Sequence, residues 1–227
     1  MHPMSALPSL TRRQLWTLIT LTLVWGLNWP IMKFGVTGFP PLTFRSLSML
    51  IGLPVLGLAL VLMKIPFRIP RSHWRELFTL AVFNMFVWHV LVILALPMLS
   101  SGRAAILGYT MPIFSAIWGV IWFNAPLRAR QWLGVAAAGV GVLLLLWNEL
   151  SHLSGQPVGV LMVLVAASTW AYGTQRLRHT PMPVPTLTIA FWMTCMTTVL
   201  LTVLACVFEQ DRWQMPAEST QWAILYN

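Results

Sequence analysis

Seven long apolar stretches constrain the fold of this chain more than any other feature. They span 15–32, 42–63, 77–99, 104–123, 132–147, 158–173 and 187–208, and another begins at 221–227. A helix needs about 20 apolar residues to cross the hydrocarbon core of a bilayer, whereas transmembrane β-strands alternate apolar and polar residues. Only 8% of the residues are charged, against about 25% in soluble domains. The sequence therefore predicts an all-α polytopic membrane protein.

The basic residues are distributed unevenly between the predicted loops. If the N-terminus is cytoplasmic, ten of the 14 Lys and Arg residues fall on the cytoplasmic side, and the other four are Lys33, Arg45, Arg103 and Arg212. Cytoplasmic loops carry an excess of Lys and Arg, so this distribution predicts a cytoplasmic N-terminus. The net charge of +9 is then a topology signal. The expected partner is the lipid bilayer and not nucleic acid.

The first and sixth stretches share a pattern at an offset of 145 residues. Trp25 corresponds to Trp170, Lys33 to Arg178 and Thr43 to Thr188. Because five helices per unit is an odd number, a second copy would enter the membrane inverted, as in many secondary transporters. We expect 1–150 to form a first five-helix repeat and 151–227 to begin a second, inverted one that is incomplete here. Ten helices are then expected in full.

Several segments resemble EamA-type members of the drug/metabolite transporter superfamily. LVWGLNWPIMKFGV (23–36) is similar to the first helix of that family, and AAILGYTMPIFSAIWGVIWF (104–123) to its fourth, with Tyr109 and Pro112 at matching places. PPLTFRSLSMLIG, RQWLGVAAAGVGVLLLL and AASTWAYGTQRLRH resemble the second helix, the fifth helix and the start of the second repeat. The resemblance implies an ATP-independent, multi-pass inner-membrane exporter of small metabolites, often amino acids or drugs.

One segment departs from the family pattern. The family usually carries a Gly-Glu pair between its fourth and fifth helices, whereas this chain has Asn124 and Ala125 there. Any role of that glutamate cannot be transferred to this chain.

The first stretch carries a helical face of unusual composition. Trp25, Asn28, Trp29 and Met32 lie at i, i+3, i+4 and i+7, so they share one side of a helix. An unpaired amide in hydrocarbon is costly, so Asn28 either bonds to a neighbouring helix or lines a hydrated cavity. Lys33 lies near the helix end and is expected either to snorkel, as is Arg45, or to attract a carboxylate at a cavity mouth.

The other candidate residues lie in the third, fourth and sixth stretches. Asn84, Trp88 and His89 fall well inside an apolar run, where ionisable residues are expensive and suggest a function. His89 is either a hydrogen-bonded neutral ring, a substrate contact or a proton-coupling site. Tyr109 precedes Pro112, which is expected to kink the helix. Trp170 would face its repeat partner Trp25 across the cavity, and packing against neighbouring helices is the alternative for all of these residues.

The composition of all these candidate residues together indicates the class of substrate. No Asp or Glu lies deep in any stretch, so a lipophilic cation would find no buried counter-charge. A cavity of Trp, Tyr, Met and amide groups suits a zwitterion with an apolar or aromatic side chain. We therefore predict export of neutral amino acids of this type. The alternatives are a proton-coupled exporter of drugs or cations and a seven-helix membrane receptor.

Other features of the sequence make an enzyme or a cofactor-binding protein the weaker interpretation. Its histidines are scattered without acidic partners at useful spacing, and no nucleotide-binding glycine loop occurs. Cys195 and Cys206 lie eleven residues apart on one predicted helix, too far for a disulfide. No cofactor or metal is expected. A monomer is compatible with all of these features.

Overall fold

The computed structural model describes residues 11–151 and 156–227, and within them every regular element is helical. The helices are α1 (Arg12–Gly35), α2 (Pro41–Leu62), α3 (Trp74–Leu80), α4 (Val87–Ala95), α5 (Ser101–Gly108), α6 (Met111–Trp122), α7 (Ala129–Ser151), α8 (Pro157–Arg178), α9 (Thr186–Phe208) and α10 (Glu218–Tyr226). Two 3-10 turns, Arg71–His73 and Gln210–Arg212, precede α3 and follow α9. The prediction of an all-helical protein is confirmed.

Six helical stretches in the described residues are long and apolar enough to cross a membrane. They are Arg12–Gly35, Pro41–Leu62, Arg71–Ala95, Ser101–Trp122, Pro157–Arg178 and Thr186–Phe208. They coincide with six of the seven predicted spans. The remaining prediction, 132–147, lies on α7, whose apolar part, Ala129–Leu144, is shorter. The predicted repeat boundary at 150/151 falls at the end of α7, beside 152–155, which lie outside the described residues.

The third span is continuous but changes its helical pitch. A π-helical segment, Ala81–Phe86, joins α3 to α4, and such segments occur frequently at functional sites. This segment packs against Gly173 of α8 so closely that a Cβ at Gly173 would lie 2.7 Å from the backbone nitrogen of Asn84. The glycine is therefore required for the approach of the third span to α8.

The fourth span is broken rather than gently kinked. Helix α5 ends at Gly108 and α6 begins at Met111, and the Thr110 hydroxyl donates to the Leu107 carbonyl at 2.6 Å. Pro112 stands in the first turn of α6, where its missing N–H leaves no helical hydrogen bond unmade. The predicted distortion at Pro112 is confirmed. Pro30, in contrast, lies inside an uninterrupted α1.

Helix α8 occupies the centre of the bundle, where α4, α5, α6 and the π-helical segment all pack against it. Its buried residues are mostly small, including Gly159, Ala166, Ala167, Ala171 and Gly173. Small side chains let neighbouring helices approach closely. Helix α9 packs along α2, and α10 packs against α1. The interior of the bundle is thereby built from helices of both predicted repeats.

Gly134 and Gly141 of α7 do not mark a close helix contact, because a Cβ at either position would meet nothing within 4 Å among the described residues. Lys33 lies in the last turn of α1, near the helix end where the sequence placed it. Its ammonium donates to the carbonyls of Leu96 and Pro97 at 2.8 and 2.9 Å, where the last carbonyls of the third span need donors.

Candidate substrate cavity

A cavity of about 260 Å³ lies inside the bundle, with walls from α1, α2, α4, α6, α8 and α10. It lies towards the end of the bundle where α1 ends at Gly35, here called the Gly35 end; the opposite end is the Arg176 end. The cavity brings together six of the eight predicted site residues: Trp25, Asn28, Trp29, Trp88, His89 and Trp170. Helices far apart in sequence supply these side chains.

Three contacting indoles form the apolar wall. Trp29 meets Trp88 edge to face at 6.3 Å between ring centroids, and Trp88 meets Trp170 at 5.3 Å. Gly108 allows this arrangement, because a Cβ there would lie 2.7 Å from the Trp29 ring. Aromatic pairs at these separations and angles attract each other beyond their buried area. The wall is therefore a rigid aromatic surface contributed by α1, α4 and α8.

Arg45 and His89 form the polar wall. Arg45 does not snorkel as expected: it lines the cavity, and its Nη2 donates to Nδ1 of His89 at 3.1 Å. Because a guanidinium cannot accept a hydrogen bond, the His89 Nδ1 atom must be the acceptor. The imidazole therefore carries its proton on Nε2 and is neutral. A proton on Nδ1 would break this bond and place two cations side by side, which disfavours the proton-coupling role considered for His89.

Part of this polar wall lacks hydrogen-bond partners. Nε and Nη1 of Arg45 and Nε1 of Trp29 are buried, and none of them has an acceptor among the described residues. No Asp or Glu occurs among the described residues that line the cavity. A buried cation without a carboxylate is energetically costly. The residues of this wall therefore carry buried donors without acceptors, and the described part of the chain supplies no acidic group to pair with them.

The predicted face of α1 is divided between the rim and the interior. Trp25 is 55% exposed and lies at the rim, whereas Trp29 is 4% exposed. Asn28 also lines the cavity, and its amide donates only weakly, at 3.8 Å, to the sulfur of Met32. Tyr226 of α10 donates to the Val24 carbonyl at 2.8 Å, which fixes α10 beside this rim. Trp25 and Asn28 thus retain free polar or apolar surface towards the cavity.

Two predicted site residues lie elsewhere. The amide of Asn84 donates to the Trp170 carbonyl at 3.1 Å and to the Thr174 hydroxyl at 2.9 Å, so it joins the third span to α8 and is absent from the cavity lining. The ring of Tyr109 packs edge to face against that of Trp29, with 6.4 Å between the ring centroids, and Tyr109 is 49% exposed. Asn84 therefore has the alternative role of helix–helix bonding, and Tyr109 supports the aromatic wall without lining the cavity.

Arg45 and Tyr226 are cavity residues that the sequence did not single out. Arg45 had a usable signal, because Arg45, Ser46 and Ser48 cluster within four positions of an otherwise apolar helix, and both serines are buried. A buried polar face of this kind points to the interior. Tyr226 had no comparable signal, since its position depends on how α10 packs against α1.

A second cluster lies at the Arg176 end. The Arg176 guanidinium donates to both carboxylate oxygens of Glu76, with Nε to Oε1 at 3.0 Å, and its Nη1 donates to the Tyr172 hydroxyl at 3.4 Å. Bidentate pairs of this kind have fixed geometry. They join the start of the third span to the end of α8. Glu76 directly precedes the predicted stretch 77–99 and Arg176 follows 158–173, but nothing in the sequence paired them.

A second carboxylate, that of Glu209, lies at the Gly35 end. Glu209, only 3% exposed, follows α9 and accepts hydrogen bonds from the backbone amides of Leu42 and Thr43 at 3.1 and 2.7 Å. The first amides of a helix lack internal partners and favour an anion. Glu209 therefore caps α2 across the bundle. Within the described residues there is no group of three or more His, Cys, Asp or Glu side chains that could hold a metal ion.

Comparisons with known proteins agree with this architecture. The model of the EamA-like transporter family matches residues 13–147. The chain is 26% identical to the uncharacterized transporter YoaV of Bacillus subtilis over 218 aligned residues. These residues cover 92% of this chain and 72% of YoaV. It is also 26% identical over 217 residues to the uncharacterized inner membrane transporter YedA of Escherichia coli K12, covering 92% of this chain and 67% of YedA.

A further relative carries a more specific name. The probable amino-acid metabolite efflux pump of Escherichia coli K12 is 26% identical over 156 residues, which cover 68% of this chain and 50% of that protein. A solved crystal structure of another protein superimposes with a TM-score of 0.63 at 21% identity, covering 92% of this chain and 72% of the other. At that identity the superposition is evidence for the fold alone.

These matches decide between the classes of protein that the sequence left open. The relatives are named as transporters, so neither a receptor nor an enzyme finds support. Six apolar helices long enough to span a bilayer and the inner-membrane relative confirm a multi-pass inner-membrane protein. The family model covers more than half of the chain, and the chain belongs to the EamA-like transporter family.

Proposed function

We propose that this protein is a secondary transporter that exports small metabolites, with neutral amino acids bearing apolar or aromatic side chains as its main substrates. The observation that carries the proposal is the interior cavity, in which three contacting indoles face a polar wall. Small-molecule sites are typically apolar pockets with a few placed polar groups. The indoles would hold an apolar side chain, and Asn28, Arg45 and His89 would hold the polar groups.

The size of the cavity supports a small substrate. Its volume of about 260 Å³ lies just below the range of roughly 300–1,000 Å³ usual for ligand pockets. A single amino acid suits this volume better than a large drug does. The relative named as a probable amino-acid metabolite efflux pump points to the same substrate class.

The charges of the cavity argue against a cationic substrate. Arg45 is the charged side chain of the lining, and the described lining residues include no carboxylate. A desolvated organic cation would lie close to the positive charge of Arg45. Bringing two like charges together at a binding site costs roughly several kcal/mol. A proton-coupled cation exporter is therefore the less favoured proposal.

The packing of α2 against α9 supports alternating access by inverted repeats. At the Gly35 end, Thr43 near the start of α2 donates its hydroxyl to Glu209 beyond α9 at 2.8 Å. At the Arg176 end, Thr188 near the start of α9 donates its hydroxyl to the Pro66 carbonyl beyond α2 at 2.7 Å. Thr43 and Thr188 are separated by the offset of 145 residues. Each helix thus begins where the other ends, as expected for inverted copies.

The proposed arrangement of the chain consists of two inverted repeats with a defined orientation in the membrane. The first repeat would comprise 1–150 and the inverted one would begin at 151, with the N-terminus in the cytoplasm. The Arg176 end would then face the cytoplasm and the Gly35 end the opposite side. Substrate would be held in the cavity between the repeats while one end or the other opens.

Counterflow in liposomes tests the proposal. Liposomes that hold the purified protein and unlabelled phenylalanine are expected to accumulate labelled phenylalanine, methionine and tryptophan, but not a labelled quaternary cation. Trp88→Ala and Trp170→Ala should lower the initial rate at least about tenfold. Each removes an aromatic side chain whose contact with the apolar part of the substrate would contribute roughly a few kcal/mol to binding. Trp16→Ala, at a position 68% exposed and outside the cavity, is the matched control.

The same assay distinguishes the alternatives. Accumulation of the cation alone, driven by a pH gradient, would contradict amino-acid export. Amino-acid exchange that is insensitive to the gradient would support facilitated export. Equal activity of Trp88→Ala, Trp170→Ala and Trp16→Ala would show that the indole wall is not the substrate site.

A further inference from the structure

We infer that Arg45 and the indole N–H of Trp29 form an anchor for the carboxylate of the transported molecule, with His89 holding the guanidinium in place. This inference rests on the proposed function and deepens it, because it makes a carboxylate, and not an amine, the group that the site requires. Arg45 and Trp29 together are called the carboxylate anchor.

Several hydrogen-bond donors at the polar wall have no acceptor among the described residues. A guanidinium has five N–H groups, and Arg45 uses Nη2 towards His89 at 3.1 Å. Its Nε and Nη1, together with Nε1 of Trp29, are buried without a partner in the part of the chain that the structure describes. Buried polar groups in native proteins are almost always hydrogen-bonded. Three unpartnered donors beside one cavity therefore point to an acceptor that arrives with the ligand.

The charge of the cavity lining also favours an anionic ligand group. The cavity lining carries the Arg45 cation and, among the described residues, no acid. His89 cannot neutralise Arg45, because it only accepts a hydrogen bond through Nδ1. A carboxylate offers two oxygens with about four acceptor positions and would both satisfy the donors and compensate the charge. Arginine pairs with carboxylates in just this bidentate manner.

The apolar wall begins at one of the residues of the carboxylate anchor. Trp29 belongs to both features, since its N–H has no acceptor among the described residues while its ring lies 6.3 Å from that of Trp88. Trp88 in turn contacts Trp170. A carboxylate bound at Arg45 and Trp29 would therefore place an attached apolar group along Trp88 and Trp170. The anchor thus sets the orientation of the substrate as well as its class.

His89 acts as a positioning residue. It lies on α4 and Arg45 lies on α2, and both line the cavity. Its neutral ring accepts from Nη2 of Arg45 and fixes that side of the guanidinium. Nε and Nη1 are left without an acceptor among the described residues. An acidic residue in its place would pair with Arg45 and remove the charge from the site. An imidazole orients the cation and leaves its charge uncompensated.

Calorimetric binding to the purified protein in detergent tests the carboxylate anchor with three ligands that share one aromatic group. Phenylalanine and 3-phenylpropionate carry the carboxylate, whereas phenylalaninamide keeps the amine and has a neutral carboxamide in place of the carboxylate. We expect the two carboxylates to bind at least about tenfold more tightly than the amide, as expected for losing a hydrogen bond to a charged group. Arg45→Gln should lower their affinity to that of the amide, and Trp29→Phe should weaken them about threefold.

The controls separate a specific role from a general change in charge. Arg45→Lys keeps the charge but not the paired geometry, so it should retain an intermediate affinity. Arg130→Gln makes the same change of charge at an exposed position outside the cavity and should leave all three affinities unchanged. If Arg45→Gln does not fold, the ranking of the three ligands on the unmodified protein decides the question.

Each outcome bears on either the anchor or the proposed function. Equal binding of all three ligands, or carboxylate binding that survives Arg45→Gln, would overturn the anchor and leave amino-acid export standing. Binding of 3-phenylpropionate that depends on Arg45, without binding of any amino acid, would support the anchor and overturn the proposed substrate class. Failure of every ligand to bind the folded protein would overturn both.

Discussion

Arg45 and Arg176 lie in the same bundle, but their guanidinium groups differ in their hydrogen-bond partners and in the compensation of their charge. Arg176 makes a bidentate pair with Glu76 and a further bond to Tyr172. Arg45 has one bond, to a neutral imidazole, and two buried nitrogens without a partner among the described residues. The comparison indicates a division of labour. Arg176 holds two helices together, and the charge of Arg45 is left for a ligand.

The surroundings of the two side chains agree with this division. The side chains of Arg176 and Glu76 are 35% and 21% exposed, so water shares in solvating the pair and its effect on stability is small. Arg45 lies beside Trp29 and Trp88 in a cavity of about 260 Å³, where an electrostatic interaction is much stronger than in water. A ligand group that pairs with Arg45 therefore gains more than one that would pair with Arg176.

The largest effect is expected from giving Arg45 the partner that Arg176 already has. His89→Glu would place a carboxylate next to the guanidinium and occupy the site intended for the substrate. We expect phenylalanine affinity to fall roughly 10- to 100-fold, in line with the strength of a hydrogen bond to a charged group, while the protein remains folded. Isothermal titration of phenylalanine measures this change.

His89→Asn is the matched control for that substitution. Its side-chain oxygen can accept from Arg45 as Nδ1 does, without adding a charge, so phenylalanine affinity should change little. If His89→Glu binds phenylalanine as well as His89→Asn does, the charge of Arg45 is not reserved for a substrate carboxylate.

A second prediction concerns the segment that separates the two arginines. Gly173 lies on α8 between Trp170 of the cavity and Arg176, and a Cβ there would lie 2.7 Å from backbone and side-chain atoms of Asn84. Gly173→Ala should force α8 away from the third span and cost about 1–3 kcal/mol of stability, as overpacking does. Thermal unfolding followed by tryptophan fluorescence measures the loss.

Gly134→Ala on α7 provides the contrasting substitution. No atom of the described residues lies within 4 Å of a Cβ added there, so the change should be neutral or stabilising by up to about 1 kcal/mol through helix propensity. Equal stability of Gly173→Ala and the unmodified protein would show that the contact between α8 and the π-helical segment is not tight.

The smallest effect is expected at the Arg176 end. Glu76→Gln should lower the stability by no more than about 1 kcal/mol, because partly exposed ion pairs contribute little, and phenylalanine affinity should not change. Exchanging the charges, with Glu76→Arg and Arg176→Glu together, should restore the lost stability. A double-mutant cycle on thermal unfolding measures the coupling, and an altered phenylalanine affinity in Glu76→Gln would contradict the division between the two sites.

Sequence periodicity located most of the helices, because apolar residues must fill the length of a bilayer-spanning helix whatever it packs against. It was less successful with residues whose role depends on a neighbour. Asn84 and Trp88 both looked like cavity residues, yet Asn84 bonds to α8 and Trp88 lines the cavity. They lie four positions apart in a span whose pitch changes at Ala81–Phe86, so regular helical spacing could not separate them.

By itself, the sequence determined the membrane-spanning class, the positions of the spans and the family, because these depend on local composition and on motifs along the chain. Only the tertiary structure decided which polar side chains are paired. Glu76 meets Arg176 across 100 positions, whereas Arg45 meets His89 across 44 and finds no carboxylate in the described part of the chain. Hydrogen bonding and charge compensation act over a few ångströms in space, and helix packing alone determines which distant residues come that close.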